Sequence, residues 1–216
     1  MGSLQHETED MHPELFLSLG LAEPGKKVVE FPCVLALFSS ALERIIHKNE
    51  EIFGSMKTKD ILTMFHGLRA PNIGIKDYIE RIFKYSKCSP SCFVIAYIYI
   101  DRFLLRTGTY LTPLNVHRML ITGIAVAAKF IDDAFYNNAY YARVGGITTT
   151  EMNRLELNFL FSLDFKLHVS VENFRKYCVQ LEMDARSYQI EKPLCKRKEW
   201  TNIEDSNCQI SLQRCS

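Results

Sequence analysis

The run from Ser91 to Leu105, SCFVIAYIYIDRFLL, restricts this chain more than any other stretch. Its first ten residues carry no charge and are apolar nearly all round a helical wheel, until Asp101 and Arg102 interrupt them. A helix of that kind belongs at the centre of a helical domain. It is too short before its first charge to span a bilayer, which takes roughly 20 apolar residues. Ser89 and Pro90 supply an N-cap and a proline at the first helical position, and Gly108 marks the end.

A core helix needs amphipathic neighbours, and the chain provides them. Val34, Leu35, Phe38, Leu42, Ile45 and Ile46 fall on one stripe of a helix over roughly 32–52, with Glu43, Arg44, Lys48 and Glu50 mostly opposite. A second helix over about 75–86 turns Tyr78, Ile79, Ile82 and Phe83 inward. Thr112-Pro113 repeats the cap chemistry and starts PLNVHRMLITGIAVAAKFIDD, whose Gly123, Ala125, Ala127 and Ala128 permit close approach of a neighbour. A short helix over about 137–144 stops at Gly145-Gly146. Thr148 and Glu151 form a capping box for a helix through Phe161, and Ser170 begins one more, to about Met183.

The rest of the chain frames this domain. Residues 1–30 show no sustained period and read as a disordered arm; 31–74 hold the first helix and a surface linker that includes TKDILTMFHGLRAPN. Residues 75–183 are the helical domain, and 184–216 lose periodicity and read as a disordered tail. With 47% hydrophobic residues among 216, the composition suits one domain of about 150 residues plus tails. The strand signal is nearly absent, so the expected class is all-α.

Charge and motif content disfavour several functions. The formal net charge of +1 implies no global attraction to nucleic acid or to an anionic membrane. The start of the chain lacks the basic and apolar regions of a secretory signal, which reads as an intracellular protein of nucleus and/or cytoplasm. The short basic KRK at 196–198 fits a nuclear signal, and also a merely solvated tail. Seven cysteines, an odd number, argue for reduced thiols. Cys88 and Cys92 are spaced to share a helical face, but no second Cys/His pair follows, so no metal is assigned. The histidines are scattered, and no GxSxG, HExxH or P-loop pattern occurs, so neither an enzyme nor a cofactor is read.

Three motifs in order then narrow the reading: YIYIDRFL at 97–104, TGIAVAAKFIDD at 122–133 and TTTEMNRLELNFLFSLDFKLHVS at 148–170. Together they resemble a cyclin box. FPCVLALFSSALERIIHKNE and FHGLRAPNI resemble the small P-type (U-type) cyclins of plants, which are similar to yeast phosphate-pathway cyclins. The resemblance implies a single five-helix box with an additional helix at each end. It implies a regulatory subunit that binds a cyclin-dependent kinase, of the A type, and holds the kinase αC helix in its active position, in cell-cycle control and/or phosphate signalling. It implies no cofactor, no small-molecule substrate, and no direct nucleic-acid or membrane partner.

The resemblance also assigns residues. Lys129 and Glu156 match the family's lysine and glutamate that contact groups around the kinase αC helix, and Phe130, Phe165 and Leu167 match apolar positions of the kinase-facing surface. Asp132 is a further candidate on that face. Without the resemblance, Lys129 and Glu156 are more simply two solvated charges or an internal salt bridge, and Phe130 is simple core packing. Asp101 is expected to be structural, with Arg81 as its candidate partner, because a carboxylate within a helical core needs an ion pair or several hydrogen bonds. Arg102 or a backbone amide is the alternative partner.

Departures from the family pattern bound the transfer. The first box helix reads IGIKDYIERIF, without the tryptophan and MRAIL-like segment that many cell-cycle cyclins use to dock substrates. Residues 184–216 are too few for a second five-helix domain. No arginine precedes Arg44, so no RxxL destruction element is expected there. The rival functions are a cyclin-fold scaffold, or a transcription-associated helical module, which would need a basic face for phosphates.

Overall fold

A computed structural model describes residues 12–21, 31–56 and 61–187. Among these residues there are eight helices and no strand: α1 (His12–Leu19), α2 (Cys33–Met56), α3 (Ile75–Ser86), α4 (Pro90–Thr107), α5 (Val116–Ile131), α6 (Asn138–Gly145), α7 (Thr149–Ser162) and α8 (Val171–Ser187). Helices α3 to α7 form the five-helix unit, with α2 before it and α8 after it. No helix among the described residues is long and apolar enough to cross a membrane.

The innermost element is α4, as its composition requires. Every residue from Cys92 to Ile100 is buried, and α2, α5, α7 and α8 all pack against it. Past the charged pair, Phe103 is buried and Leu104 partly so, while Leu105 stands in solvent. Helix α5 lies along α4, with Gly123 facing Ala96 and Ile100 at ordinary contact distance. The glycine that close approach demands is instead Gly145 at the end of α6, where a Cβ would lie 2.8 Å from Ile121 Cγ1.

Helix ends show where local signals were answered by distant residues. Ser89 stands at the N-cap of α4, but its hydroxyl makes no cap bond; the Ser89 N–H donates to Asp132 Oδ2 at 3.0 Å. A carboxylate from the end of α5 thus caps α4, in the polarity that the helix dipole favours. Thr112-Pro113 leads into a turn, and α5 begins only at Val116, because Asn115 Oδ1 accepts the Thr112 N–H at 2.8 Å while its Nδ2 donates to the Tyr110 carbonyl at 2.7 Å. Thr148 does cap α7, accepting the Glu151 N–H at 3.1 Å. The Glu151 carboxylate does not reach back as a capping box requires; it takes Arg118 Nε at 2.6 Å and ties α7 to α5.

Three expected boundaries need correction. The arm over 1–30 contains α1, whose Leu19 is buried and whose Phe16 ring meets Phe174 of α8 at 6.2 Å; residues 1–11 and 22–30 lie outside the described residues. The 61–74 linker is not wholly superficial, because Phe65 is fully buried between the rings of Phe103 and Phe159 at 5.0 and 5.9 Å. Helix α8 passes Asp184, which pairs with Arg44 of α2 at 3.1 Å, and continues to Ser187. The remaining tail, with its KRK, lies outside the described residues.

Candidate functional site

Helix α5 is buried from Met119 to Ala128, which makes Lys129 in its last turn the first partly exposed side chain since Arg118. Lys129 Nζ donates to Glu156 Oε1 on α7 at 2.6 Å and to Asn138 Oδ1 on α6 at 2.6 Å. Asn138 Nδ2 donates in turn to Glu156 Oε2 at 2.5 Å and to Asn153 Oδ1 at 2.8 Å. The internal salt bridge is therefore formed, and it remains at the surface, with the Lys129 and Glu156 side chains 24% and 18% exposed. Charge-assisted bonds of this length between partly desolvated groups are the stronger kind.

Apolar side chains lie around it in sequence and stand in solvent. Phe130 is 52% exposed, Leu157 55%, Phe161 63% and Phe165 56%. Phe161 and Phe165 meet edge to face with ring centroids 5.2 Å apart. Phe130 is thus not core packing. Phe165 is held out by a turn in which Asp164 and Phe165 both adopt left-handed backbone, φ 56° and 53°. Non-glycine residues seldom do so unless the surroundings fix them. Here Arg106 Nε donates to the Ser162 carbonyl at 2.7 Å, and Arg102 Nη1 to the Lys166 and His168 carbonyls at 3.0 and 3.2 Å.

The other expected residues face inward. Leu167 packs partly buried against the core, and its carbonyl accepts the Tyr99 hydroxyl at 2.7 Å. Asp132 is engaged at the start of α4, where it receives the Cys92 thiol at 3.2 Å besides the Ser89 amide. The neighbouring Cys88, burial and the Asp132 charge push the Cys92 thiol upward, so it stays a thiol. Among the described residues no group of three or more metal-ligating side chains is placed to hold an ion.

The expected Asp101–Arg81 pair is not formed. Asp101 Oδ2 accepts the Tyr177 hydroxyl of α8 at 2.5 Å, while Arg81 reaches the Arg143 carbonyl at 3.4 Å. Arg81 lies on α3 and serves the α3–α6 contact, whereas Asp101 faces α8, which follows the five-helix unit in the chain. Burial and the Asp101 bond raise the Tyr177 hydroxyl, and burial with the same carboxylate holds Tyr97 up to about 12. Both phenols remain neutral, and Tyr177 is the donor to Asp101.

Sequence reasoning missed Asn138, Asn153, Leu157 and Phe161. The last two had a signal: they repeat four apart on the side of α7 away from the buried Met152, Leu155 and Phe159, which leaves a second apolar stripe unaccounted for. Asn138 had only the Asn137-Asn138 doublet, where Asn137 is the true cap of α6.

This geometry accords with the comparison to known proteins. The cyclin profile matches residues 33–167, from the start of α2 to Leu167. The chain belongs to the cyclin family. Cyclins are regulatory proteins, not enzymes themselves. This cyclin is 54% identical, over an alignment 226 positions long, to Cyclin-P3-1 of Oryza sativa subsp. japonica, covering 100% of this chain and 96% of the relative. It is 50% identical over 221 residues to Cyclin-U3-1 of Arabidopsis thaliana, covering 99% and 100%. With Cyclin-U4-1 of Arabidopsis thaliana the identity is 51% over 152 residues, or 70% of this chain and 75% of that one. The expected likeness to plant P-type and U-type cyclins is thereby established.

Proposed function

We propose that this cyclin binds an A-type cyclin-dependent kinase through the face centred on Lys129 and Glu156, and activates it by holding the αC helix inward. The observation that carries this reading is the hydrogen-bonded ion pair at the surface, with the residue after each of its members, Phe130 and Leu157, exposed. Large exposed apolar side chains rimmed by polar groups mark interaction sites, and aromatic anchors dominate their energetics. Kinase activity depends on a lysine on strand β3 meeting a glutamate on αC, so a subunit that seats αC favours the active kinase. It does so only as far as it binds the active form more tightly than the inactive one. Asp132 and Leu167 support the face from within. Cell division and phosphate supply are the two inputs that this role would serve.

The test is a titration of purified plant A-type kinase with the wild-type chain and with the exchanged variant Lys129→Glu/Glu156→Lys, scored for binding and for phosphorylation of a histone. The exchange keeps one ion pair on the fold while reversing what it offers a partner. The expected result is binding and activation by wild type, both lost in the exchanged variant although it melts cooperatively. Equal binding by both chains would place the interface elsewhere. No binding by wild type would favour the scaffold or nucleic-acid role.

A further inference from the structure

Asn138 lies on a third helix, α6, and touches both members of the Lys129–Glu156 pair. A neutral amide can accept at one atom and donate twice at the other, which neither a carboxylate nor an ammonium does. Asn138 uses that capacity in full as a donor: one N–H to Glu156, the other to Asn153, while its oxygen takes the Lys129 ammonium. The cluster therefore carries one positive and one negative charge, and its remaining capacity is an ammonium N–H on Lys129 and lone pairs on Glu156. Those suit backbone carbonyl and N–H groups at the end of a helix or in a turn, and they do not suit a phosphate.

We infer that Asn138 is a positioning residue for partner binding: it fixes the Lys129 and Glu156 head groups at the spacing a partner backbone meets, without itself being the contact. This rests on the docking role proposed above and extends it to α6. Three bonds converge on one side chain from α5 and α7, and a docking site held to within a fraction of an ångström needs such a supporting group.

Asn138→Asp separates positioning from folding. It is isosteric, and an acid in the first turn of α6 agrees with the helix dipole, so the fold is kept. The new carboxylate nevertheless faces Glu156 Oε2 and drives that head group away. Asn138→Ala removes the same bridge without adding a charge, leaving Lys129 and Glu156 themselves unaltered. Binding of purified A-type kinase is measured for the full-length wild type, Asn138→Asp and Asn138→Ala, beside thermal melts of each.

Both variants are expected to melt cooperatively near wild type and to bind at least about tenfold more weakly. Wild-type affinity in either variant would overturn the positioning role; in Asn138→Ala it would reduce the effect of Asn138→Asp to a charge placed beside the contact. A wild type that binds no kinase would remove the docking role and this inference with it, a failure visible before any variant is compared.

Discussion

The Asp101 site between α4 and α8 and the Lys129 site between α5, α6 and α7 both hold a charge among packed helices, and they are built in opposite ways. Asp101 meets a neutral donor, Tyr177, whose ring stands edge-on to Tyr97 at 5.5 Å. The adjacent Arg102 turns to backbone carbonyls of the 166–168 turn. Lys129 and Glu156 carry both signs at the surface, beside apolar side chains in solvent. The first arrangement ties a half-buried charge to a neutral donor on the neighbouring helix. The second satisfies it only in part and leaves hydrogen-bonding capacity outward, which is what recognition requires.

That contrast can be broken by experiment. Lys129→Ala is expected to cost about 2–5 kcal/mol of kinase affinity, as for a charge truncated in a desolvated interface, while urea unfolding shifts by under about 1 kcal/mol. Comparable losses in both assays would make the pair structural after all. Tyr177→Phe should behave in reverse, lowering unfolding stability by about 1.5–3 kcal/mol, the range for a hydrogen bond to a charged group, with kinase titration unchanged.

His117 sharpens the comparison as a titratable group shut in without a counter-charge. Its Nε2–H donates to the Ile73 carbonyl at 2.9 Å, and Nδ1 is buried with no partner among the described residues. Burial first, and the Arg118 cation in addition, hold its pKa below the ordinary value of 6.5 against the raising effect of the Ile73 bond. The unfolded chain then takes up the proton first, so stability falls as pH drops through that ordinary value and is kept above it. Melts from pH 7.5 to 5.5, about one unit either side of the unperturbed imidazole, should show a slope that flattens in His117→Gln. The smallest expected effect is at Lys87, an exposed residue with φ 52° at the end of α3: Lys87→Gly should stabilise by about 1 kcal/mol in urea unfolding, by relieving left-handed backbone.

Legibility followed the range of the forces involved. The α3 helix and the buried run of α4 were readable because periodicity and composition act within a few residues. Helix α1 was missed because eight residues that include Pro13 carry little periodic signal, and its Leu19 is buried by a tertiary contact. Phe65 looked like part of a linker because nothing local shows that Phe103 and Phe159 leave a slot for it. At the site, residue physics alone offered an internal salt bridge for Lys129 and Glu156; the resemblance supplied the docking role, and both descriptions fit one arrangement. The bridge through Asn138 depends on three helices converging, which no spacing within one segment encodes.

The capping of α4 by Asp132 has a consequence for how the surface is sensed. Phe130 stands in solvent two residues before the carboxylate that receives the Ser89 amide proton at the head of the innermost helix. A partner that restrains the end of α5 is expected to slow the exchange of that one amide hydrogen with deuterium. The head of the most deeply buried helix would then be a gauge of occupancy on the outer face.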